Sequence, residues 1–433
     1  MYIKIFQTEE IYAALQNLDF SPRVDLVCDA LPINEFSVDI LTDDDIDAGN
    51  TAQLFDDNDA IWASYQIDYA ERVDENTVHV RARSEVALLD GVELAEAMYS
   101  GAALSDVLDD TMVRQSGSGG IVATIDYTLD SALTNATVTG YCPAQTARER
   151  LQWVCFACGA YVKTAFVSKI TILPLDATAA LVPLDRTFWK PTVNHGDYVT
   201  AIKLTAYTFT QSADAAADNS SYTFPLPWVA STQVFTLNNQ NVPAGIQDNV
   251  VEIDELYLIN QSNVSSILAL LAARYFERTE VMLDAIDNGE FVPGDRANVY
   301  ADEATMYGGY IESASFRFGR QARASMKLAA AEAIDTAQLV ITYTYNSATV
   351  YTETYTFPVG YSYQIETRYL DITSNGHRYI YRPGVASVSG TMASAGNSQT
   401  VSCSVALELY EGILDIIAVD SVTASGVDTA VIA

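Results

Sequence analysis

The chain holds few residues of the types that carry out nucleophilic or metal chemistry. Its 433 residues include only three histidines, His79, His195 and His377. His79 stands in an alternating strand pattern and the other two stand in turn patterns, and none has a Cys, Ser or carboxylate at a recognisable catalytic spacing. No zinc-protease, phosphate-loop or dinucleotide signature occurs. The sequence therefore predicts a protein that is not an enzyme and holds no cofactor, although paired carboxylates of a hydrolase stay open among 56 acidic residues.

One cysteine pair has a spacing that is known from zinc and redox sites. Cys155 and Cys158 are separated by two residues, but they fall late in a predicted helix. A zinc site needs a second pair of ligands, and a redox site places its reactive thiol at a helix N-terminus. Thr146 and Glu149 form a capping-box pattern at the start of this helix, and Gly159 suits its end. We interpret both cysteines as helix core and predict no metal.

Acidic residues dominate one stretch near the N-terminus. Between Val24 and Glu71 there are 13 Asp and Glu residues and no Lys or Arg. Such a run usually forms a solvated face. The alternation of Asp43, Asp45 and Asp47 also fits calcium ligands, but the glycine and the closing Glu of a calcium loop are missing. We predict an acidic surface or channel lining formed by Asp43, Asp44, Asp45, Asp47, Asp56, Asp57 and Asp59.

Positive charge is concentrated in a different part of the chain. Four cations follow one another closely after residue 316, and in an acidic protein such a cluster suits docking on an acidic face of a neighbouring subunit. A solvated edge or turn explains the same pattern. The members of this basic cluster are Arg317, Arg320, Arg323 and Lys327.

The overall charge excludes some classes of partner. The formal net charge is −33, so the surface repels phosphate backbones and anionic lipids, and we expect no specific nucleic-acid binding. No apolar run approaches 18 residues, so we predict no membrane span. The N-terminus lacks the pattern of a signal peptide, and the five scattered cysteines do not form a disulfide framework. We therefore expect synthesis in a reducing cytoplasm.

Composition and pattern predict a β-dominated α+β fold with several domains. Tyrosine is abundant, at 26 residues, and Thr and Val are frequent, which favours strands. We predict short strands at 24–27 and at 35–41, and in the second of these Phe36, Val38 and Ile40 alternate with polar residues, as in a half-buried strand. A chain of this length is expected to hold two to four domains. We divide it into an N-terminal β domain at 1–88, an α/β insertion at 89–190, a second β module at 191–335 with a helix at 264–279, and an all-β domain at 336–433.

An internal similarity suggests a duplicated β module. The stretch that begins at Ala201 resembles the one that begins at Gln338, and each is followed by Tyr-Thr-Phe-Pro and by a further strand pattern, at 251–260 and at 364–372. These features predict two hairpin-plus-strand units. A generic β-rich composition can produce the same similarity by chance.

Three stretches, taken in order, carry a resemblance to a known family. The first begins with Asn34-Glu-Phe-Ser-Val-Asp-Ile and the second with Val138-Thr-Gly-Tyr-Cys-Pro. The third begins with the helix pattern Ile267 to Arg278 and ends with Tyr307-Gly-Gly-Tyr-Ile-Glu-Ser-Ala-Ser-Phe. Together they resemble the hub proteins at the tips of phage tails and of phage-derived contractile injection systems and tailocins. The resemblance covers roughly residues 20–330, and residues 336–433 depart from the family pattern.

The resemblance implies a structural virion protein at the tail tip, or baseplate, made in a bacterial host. It implies two related β-barrel-like tube modules in each chain and a homotrimer whose pseudo-six-fold ring joins the tail tube to a central spike or fibre. Such a ring lines or closes the DNA exit channel and has tail-tube, distal tail and tape-measure proteins as neighbours. No murein-cleaving activity is implied, and a receptor-binding adhesin or wedge component is the alternative.

Overall fold

The computed structural model describes most of the chain, and it falls into two compact units. One unit comprises residues 1–299 and 308–332, and the other comprises residues 300–307 and 333–433. The described residues are 1–6, 10–115, 121–176, 181–184, 187, 189–211, 228–287, 289–301, 305–318, 323–334, 336–359, 362–374, 377–392, 400–415 and 423–426.

The first unit begins with strands whose alternating side chains build one face of a sheet. Phe36, Val38 and Ile40 are fully buried and alternate with more exposed neighbours, as the sequence pattern predicted. The strands are β1 (Tyr2–Ile5), β2 (Glu10–Tyr12), β3 (Leu15–Phe20), β4 (Glu35–Leu41), β5 (Thr51–Phe55), β6 (Ile61–Asp74) and β7 (Thr77–Arg83).

The segment at 24–27 shows why an apolar pattern alone does not make a strand. We predicted a strand there, but the segment forms a turn. The carboxylate of Asp25 accepts hydrogen bonds from the backbone N–H groups of Val27 (3.1 Å) and Ala30 (2.8 Å), and Cys28 has a φ of 55°. A carboxylate that binds the following N–H groups stabilises a turn in place of an extended chain.

The next part of the first unit mixes short strands with two helices. The capping box at Thr146 and Glu149 is confirmed, and Gly159 follows the helix with a φ of +65°. The elements are β8 (Glu93–Leu94), β9 (Ala97–Ala103), α1 (Leu104–Thr111), β10 (Val113–Gln115), β11 (Ile121–Thr124), β12 (Tyr127–Leu129), β13 (Thr137–Cys142), β14 (Gln145–Thr146), α2 (Ala147–Ala157), β15 (Ala160–Lys163) and β16 (Ile170–Pro174), with 3-10 helices at Glu85–Gly91 and Ser131–Leu133.

The helix that we predicted at 264–279 ends earlier. It stops at Tyr275, because the chain then extends and Thr279 pairs with His195 in the following strand. The elements in this part are β17 (Val182–Pro183), β18 (Thr192–His195), β19 (Ala201–Gln211), β20 (Trp228–Asn238), β21 (Val250–Ile253), α3 (Val264–Tyr275), β22 (Thr279–Ile286), β23 (Arg296–Tyr300), β24 (Met306–Arg317) and β25 (Arg323–Ile334). No helix among the described residues has the length and apolar character needed to cross a membrane.

One long sheet joins the start and the end of the first unit. Its order is β18-β22-β25-β24-β3-β4-β7-β6-β5-β1-β2, and β17 and β23 are attached beside β24. The two halves meet where Phe316 of β24 pairs with Phe20 of β3. The Phe316 ring lies 6.0 Å from Phe20 and 4.7 Å from Trp62, centroid to centroid, so an aromatic cluster seals this seam. Gly289 packs on Trp62, and a Cβ there would lie 2.6 Å from the indole.

A second core in the same unit joins the inserted helices to later strands. It contains the buried faces of α2 and α3 together with β19, through residues such as Leu151, Ile267 and Leu204. The predicted boundaries at 88/89 and 190/191 both fall inside the first unit, and the division of the chain into four domains stays a prediction.

The second unit is built from strands around a core rich in tyrosine. Buried Glu353 faces Arg368 and accepts hydrogen bonds from the hydroxyls of Tyr343 (3.2 Å) and Tyr355 (3.0 Å). Burial and this carboxylate raise the pKa of Tyr355 to about 12. The strands are β26 (Thr336–Tyr345), β27 (Ala348–Pro358), β28 (Ser362–Glu366), β29 (Leu370–Ser374), β30 (His377–Pro383), β31 (Ser387–Thr391), β32 (Thr400–Asp415) and β33 (Thr423–Gly426).

The suggested duplication is reproduced in local topology but not in its predicted strands. Both β19 and β26 lie between an antiparallel hairpin partner and a parallel strand. The parallel partner of β26 is β32, whereas the segment 364–372 is divided between β28 and β29, so its predicted equivalence with 251–260 is wrong. Parallel strands are joined by long connections, so a similar pattern does not specify the partner. The Tyr-Thr-Phe-Pro stretch of the first copy lies outside the described residues.

Candidate functional site

A single arginine organises the first acidic loop, which connects β4 to β5. The guanidinium of Arg72 on β6 donates hydrogen bonds to the backbone carbonyls of Asp43 (3.0 Å) and Asp44 (2.5 Å) and to the carboxylate of Asp45 (3.1 Å). Charged donors form stronger hydrogen bonds than neutral ones, so this contact fixes the loop conformation. The Asp45 side chain is nevertheless 94% exposed, so its charge stays at the surface.

Sequence reasoning overlooked Arg72, although a signal was present. Arg72 is the first cation after the long acidic stretch, and it directly follows Glu71. The predicted loop acids also make neutral contacts, since the Asp44 carboxylate accepts hydrogen bonds from Tyr12 (3.1 Å) and Thr42 (2.9 Å). The acids at 43–47 therefore help to hold their own loop.

A second group of acids forms the tight turn between β5 and β6. The Asp56 carboxylate accepts hydrogen bonds from the N–H groups of Asn58 and Ala60, both at 2.8 Å. Asp57 pairs with the N-terminal ammonium group, and Asp59 accepts a hydrogen bond from Tyr2 (2.8 Å). The acids of this turn thus also make contacts within the chain, while the Asp57 side chain is 86% exposed.

The two acidic segments lie at opposite ends of the strands. The sheet has the order β4, β7, β6 and β5, and each strand is antiparallel to the next. The loop after β4 and the turn after β5 therefore lie at opposite ends of these strands. The five residues of β5 separate them by roughly 17 Å. The structure therefore does not bring the predicted acids into one patch. In the part of the chain that is described, no three His, Cys, Asp or Glu side chains converge as a metal site requires.

The basic cluster lies around the connection between β24 and β25. Arg317 ends β24, Arg323 begins β25, and Arg320 lies outside the described residues. Lys327 points its ammonium group at two carboxylates of neighbouring strands, Glu280 at 2.7 Å and Glu312 at 2.9 Å. Lys327 is thus engaged within the chain, and the predicted docking role of the cluster stays a prediction.

Glu312 is the centre of this internal network. It also binds Arg274 of α3, at 2.6 Å. Burial alone would raise the pKa of Glu312, but Arg274 and Lys327 outweigh burial and hold it below its ordinary value. Burial likewise opposes the charge of Lys327, and its hydrogen bonds to Glu280 and Glu312 raise its pKa above the ordinary value. The network ties α3, β22, β24 and β25 together.

The thiols are placed as core groups. Cys155 is fully buried in α2, which confirms the helix-core interpretation for this residue, whereas Cys158 is partly buried and is the C-cap just after the helix. A hydrogen bond with Cys28, together with burial, raises the pKa of Cys155, and burial raises that of Cys158 to about 12. The thiolate is the form that attacks or binds metals, and burial disfavours that form in both groups.

Two histidines make ordinary contacts between strands. The Nδ1 atom of His79 lies 2.7 Å from Asp39, and that of His195 lies 3.1 Å from the Thr279 hydroxyl. The side chain of His377 lies outside the described residues. His195 thus links β18 to β22, and His79 links β7 to β4, through side chains that face each other on neighbouring strands.

Comparison with known proteins adds evidence at the level of structure. No protein-family model and no curated protein sequence matches the chain. The tail protein from Neisseria meningitidis MC58 aligns with a TM-score of 0.53 and 10% identity, over 76% of this chain and 95% of that chain. Over about three quarters of its length, the chain shares the fold of this tail protein.

A second solved structure agrees with the first. The 43 kDa tail protein of prophage MuSo2 from Shewanella oneidensis aligns with a TM-score of 0.51 and 11% identity, over 76% of this chain and 97% of that chain. The resemblance inferred from the sequence is therefore confirmed for the fold. Each alignment includes nearly the whole of the other tail protein and about three quarters of this chain.

Proposed function

We propose that the chain is a non-enzymatic structural subunit of a phage-type tail. The observation that carries this proposal is the alignment of about three quarters of the chain with almost the full length of two tail proteins. The contacts of the described thiols, histidines and carboxylates support it, because they stabilise loops and strands instead of forming a catalytic centre. The chain would act in the virion, by occupying a place in an assembly.

We propose further that the chain forms a homotrimeric hub at the tail tip. The long sheet supports self-association, because among the described strands β18 pairs only with β22, and β2 only with β1. Such open edges are templates for pairing with another chain. Ile11 on β2 is 62% exposed and nearby Phe6 is 48% exposed, which adds apolar surface at one of these edges.

The acidic charge suits a subunit beside a DNA channel. At −33 for each chain, a ring of three copies would repel phosphate groups and let DNA pass without adhering. Asp45 and Asp57, with highly exposed side chains, are the best candidates to present this charge. In this arrangement, tail-tube and distal tail proteins would lie above the ring, a spike or fibre below it, and the tape-measure protein near its channel.

The mass of the purified protein in solution tests the hub proposal. Sedimentation velocity over a range of concentrations is expected to show a species of three times the 47.1 kDa chain mass. Its interfaces are expected to bury more than about 2,000 Å². Pro substitution at Ile11, which removes an edge N–H group, is expected to shift the mass towards one chain. A single-chain mass for the wild type at every concentration would contradict the ring.

A further inference from the structure

One groove on the long sheet differs from the rest of this acidic molecule. It is a cavity of about 620 Å³ that opens to solvent over β18, β22, β24 and β25, close to β18, which ends the sheet among the described strands. All of its lining residues belong to the first unit. Trp189 stands at its rim with 76% of its surface exposed, and Met282 on β22 is 49% exposed. Two large apolar side chains are thus open to solvent in one concave place.

The cations of this groove are available to a partner. Arg23 and Lys190 are both exposed, and among the described residues neither lies within ion-pair distance of a carboxylate. Lys327 also lines the groove, although Glu280 and Glu312 already hold its ammonium group. Other described cations pair with carboxylates of the chain, as Arg81 does with Asp68, whereas this groove brings together two exposed cations that do not.

The polar floor of the groove is dominated by hydroxyl groups. Ser21 and Ser315 lie 3.0 Å apart, oxygen to oxygen, and Ser313 lies beside them. Asp284 is the acid that lines the groove, and its carboxylate already accepts a hydrogen bond from Ser325 at 2.5 Å. The groove therefore presents cations and hydroxyl groups to a ligand. Its one carboxylate, that of Asp284, is already hydrogen-bonded to Ser325.

We propose that this groove binds an extended acidic peptide segment of a partner subunit. Arg23 and Lys190 would pair with its carboxylates, the serine hydroxyls would donate hydrogen bonds, and Trp189 would cover its apolar stems. Charge complementarity selects such a segment, because the net charge of −33 opposes its binding elsewhere on the molecule. β18, whose only partner among the described strands is β22, lies beside the groove and gives an extended chain a backbone to follow. This inference rests on the proposed structural role, since only a subunit of an assembly needs such a docking site.

A peptide-binding assay on the full chain tests the groove. The probe is a fluorescein-labelled octapeptide of alternating Glu and Ser, followed by anisotropy at about 0.15 M salt, which screens the long-range charge of the molecule, with a neutral alternating Gln and Ser peptide for comparison. We expect saturable binding of the Glu peptide alone. The double variant Arg23→Glu/Lys190→Glu is expected to weaken this binding by roughly a hundredfold, and Trp189→Ala by about tenfold at unchanged net charge.

A charge-matched control separates the groove from general electrostatics. The double variant Lys169→Glu/Lys203→Glu changes the net charge equally, at two exposed lysines that lie outside the groove and pair with Asp126 and Glu252. Its binding is expected to stay within about threefold of wild type after allowance for the lower overall charge. No binding by wild type, or an equal loss in the control variant, would overturn the inference. The hub proposal fails separately, through a single-chain mass in a protein that still binds the peptide.

Discussion

The acidic loop and the cationic groove belong to the same sheet, but their charges are used differently. In the loop, Arg72 donates hydrogen bonds to the backbone carbonyls of two aspartates and to the carboxylate of a third, so contacts within the chain hold these acids. In the groove, Arg23 and Lys190 have no carboxylate within ion-pair distance among the described residues. A high density of charge in the sequence therefore does not by itself indicate a docking surface. Exposed charges without a partner in a concave surface are the better indicator, and on that basis we propose the groove.

The largest expected effect on stability comes from a substitution at the seam between the two halves of the long sheet. One half carries the acidic loop and the other carries the groove. Phe316→Ala removes a fully buried ring from the seam and is expected to lower the free energy of unfolding by about 3–5 kcal/mol. Urea denaturation measures the change, with Val234→Ala, at a residue of β20 that is 58% exposed, as a control that is expected to stay within about 0.5 kcal/mol of wild type. A loss below about 1 kcal/mol for Phe316→Ala would show that the seam does not hold the halves together.

A buried amide gives the next largest effect and lies close to the groove. The Asn34 side chain accepts a hydrogen bond from the Arg23 N–H (2.9 Å) and donates to the Arg23 carbonyl (3.0 Å) and to Thr164 (2.8 Å). Asn34→Ala leaves these groups unpaired and is expected to cost about 2–3 kcal/mol of stability.

Asn34→Ala also removes the hydrogen bonds that hold the backbone of Arg23, and so tests the groove without altering its charges. We expect weaker binding of the acidic peptide without any change in charge. Asn58→Ala, in the exposed turn of the acidic region, is the matched control. Equal thermal stability of the Asn34 and Asn58 variants would contradict the stabilising role of the buried Asn34 amide.

Removing the organiser of the acidic loop has a smaller effect. Arg72→Ala is expected to lower stability by about 1–2 kcal/mol, because several partly exposed hydrogen bonds are lost together. Hydrogen exchange of the amides at 43–47 is expected to quicken, while exchange in the turn at 56–59 stays the same, because that turn is held by its own contacts. Unchanged exchange in both segments would mean that Arg72 does not fix the loop.

The smallest effect is a dependence on acid. Hydrogen bonds from Asn17 and His79 hold the pKa of Asp39 below its ordinary value. A carboxyl group with a lowered pKa in the folded state contributes stability above its unfolded pKa, and this contribution is lost as the pH falls through the folded value. Asp39→Asn is therefore expected to lose less stability than wild type on acidification below about pH 4. A steeper acid-induced loss in the variant would reverse the sign and contradict the assignment.

Local features could be predicted from the sequence and distant ones could not. The capping box of α2 and the alternation in β4 depend on neighbours a few residues apart, and both are confirmed. The pairing of Phe20 with Phe316, and the groove between Arg23 and Lys190, join residues far apart in sequence. Single-chain patterns do not encode such partners, so the predicted basic cluster included Lys327, which is already paired, and omitted Arg23 and Lys190.

We propose that this chain is built into a tail, and the position of the chain in assembled particles tests this proposal. Particles can be produced from the genome that encodes the chain, labelled with a gold-conjugated antibody against it and imaged by negative-stain electron microscopy. The account predicts gold at the end of the tail that is distal to the head, with none on the head. Particles that carry no label, with all of the protein in the unassembled fraction, would contradict it.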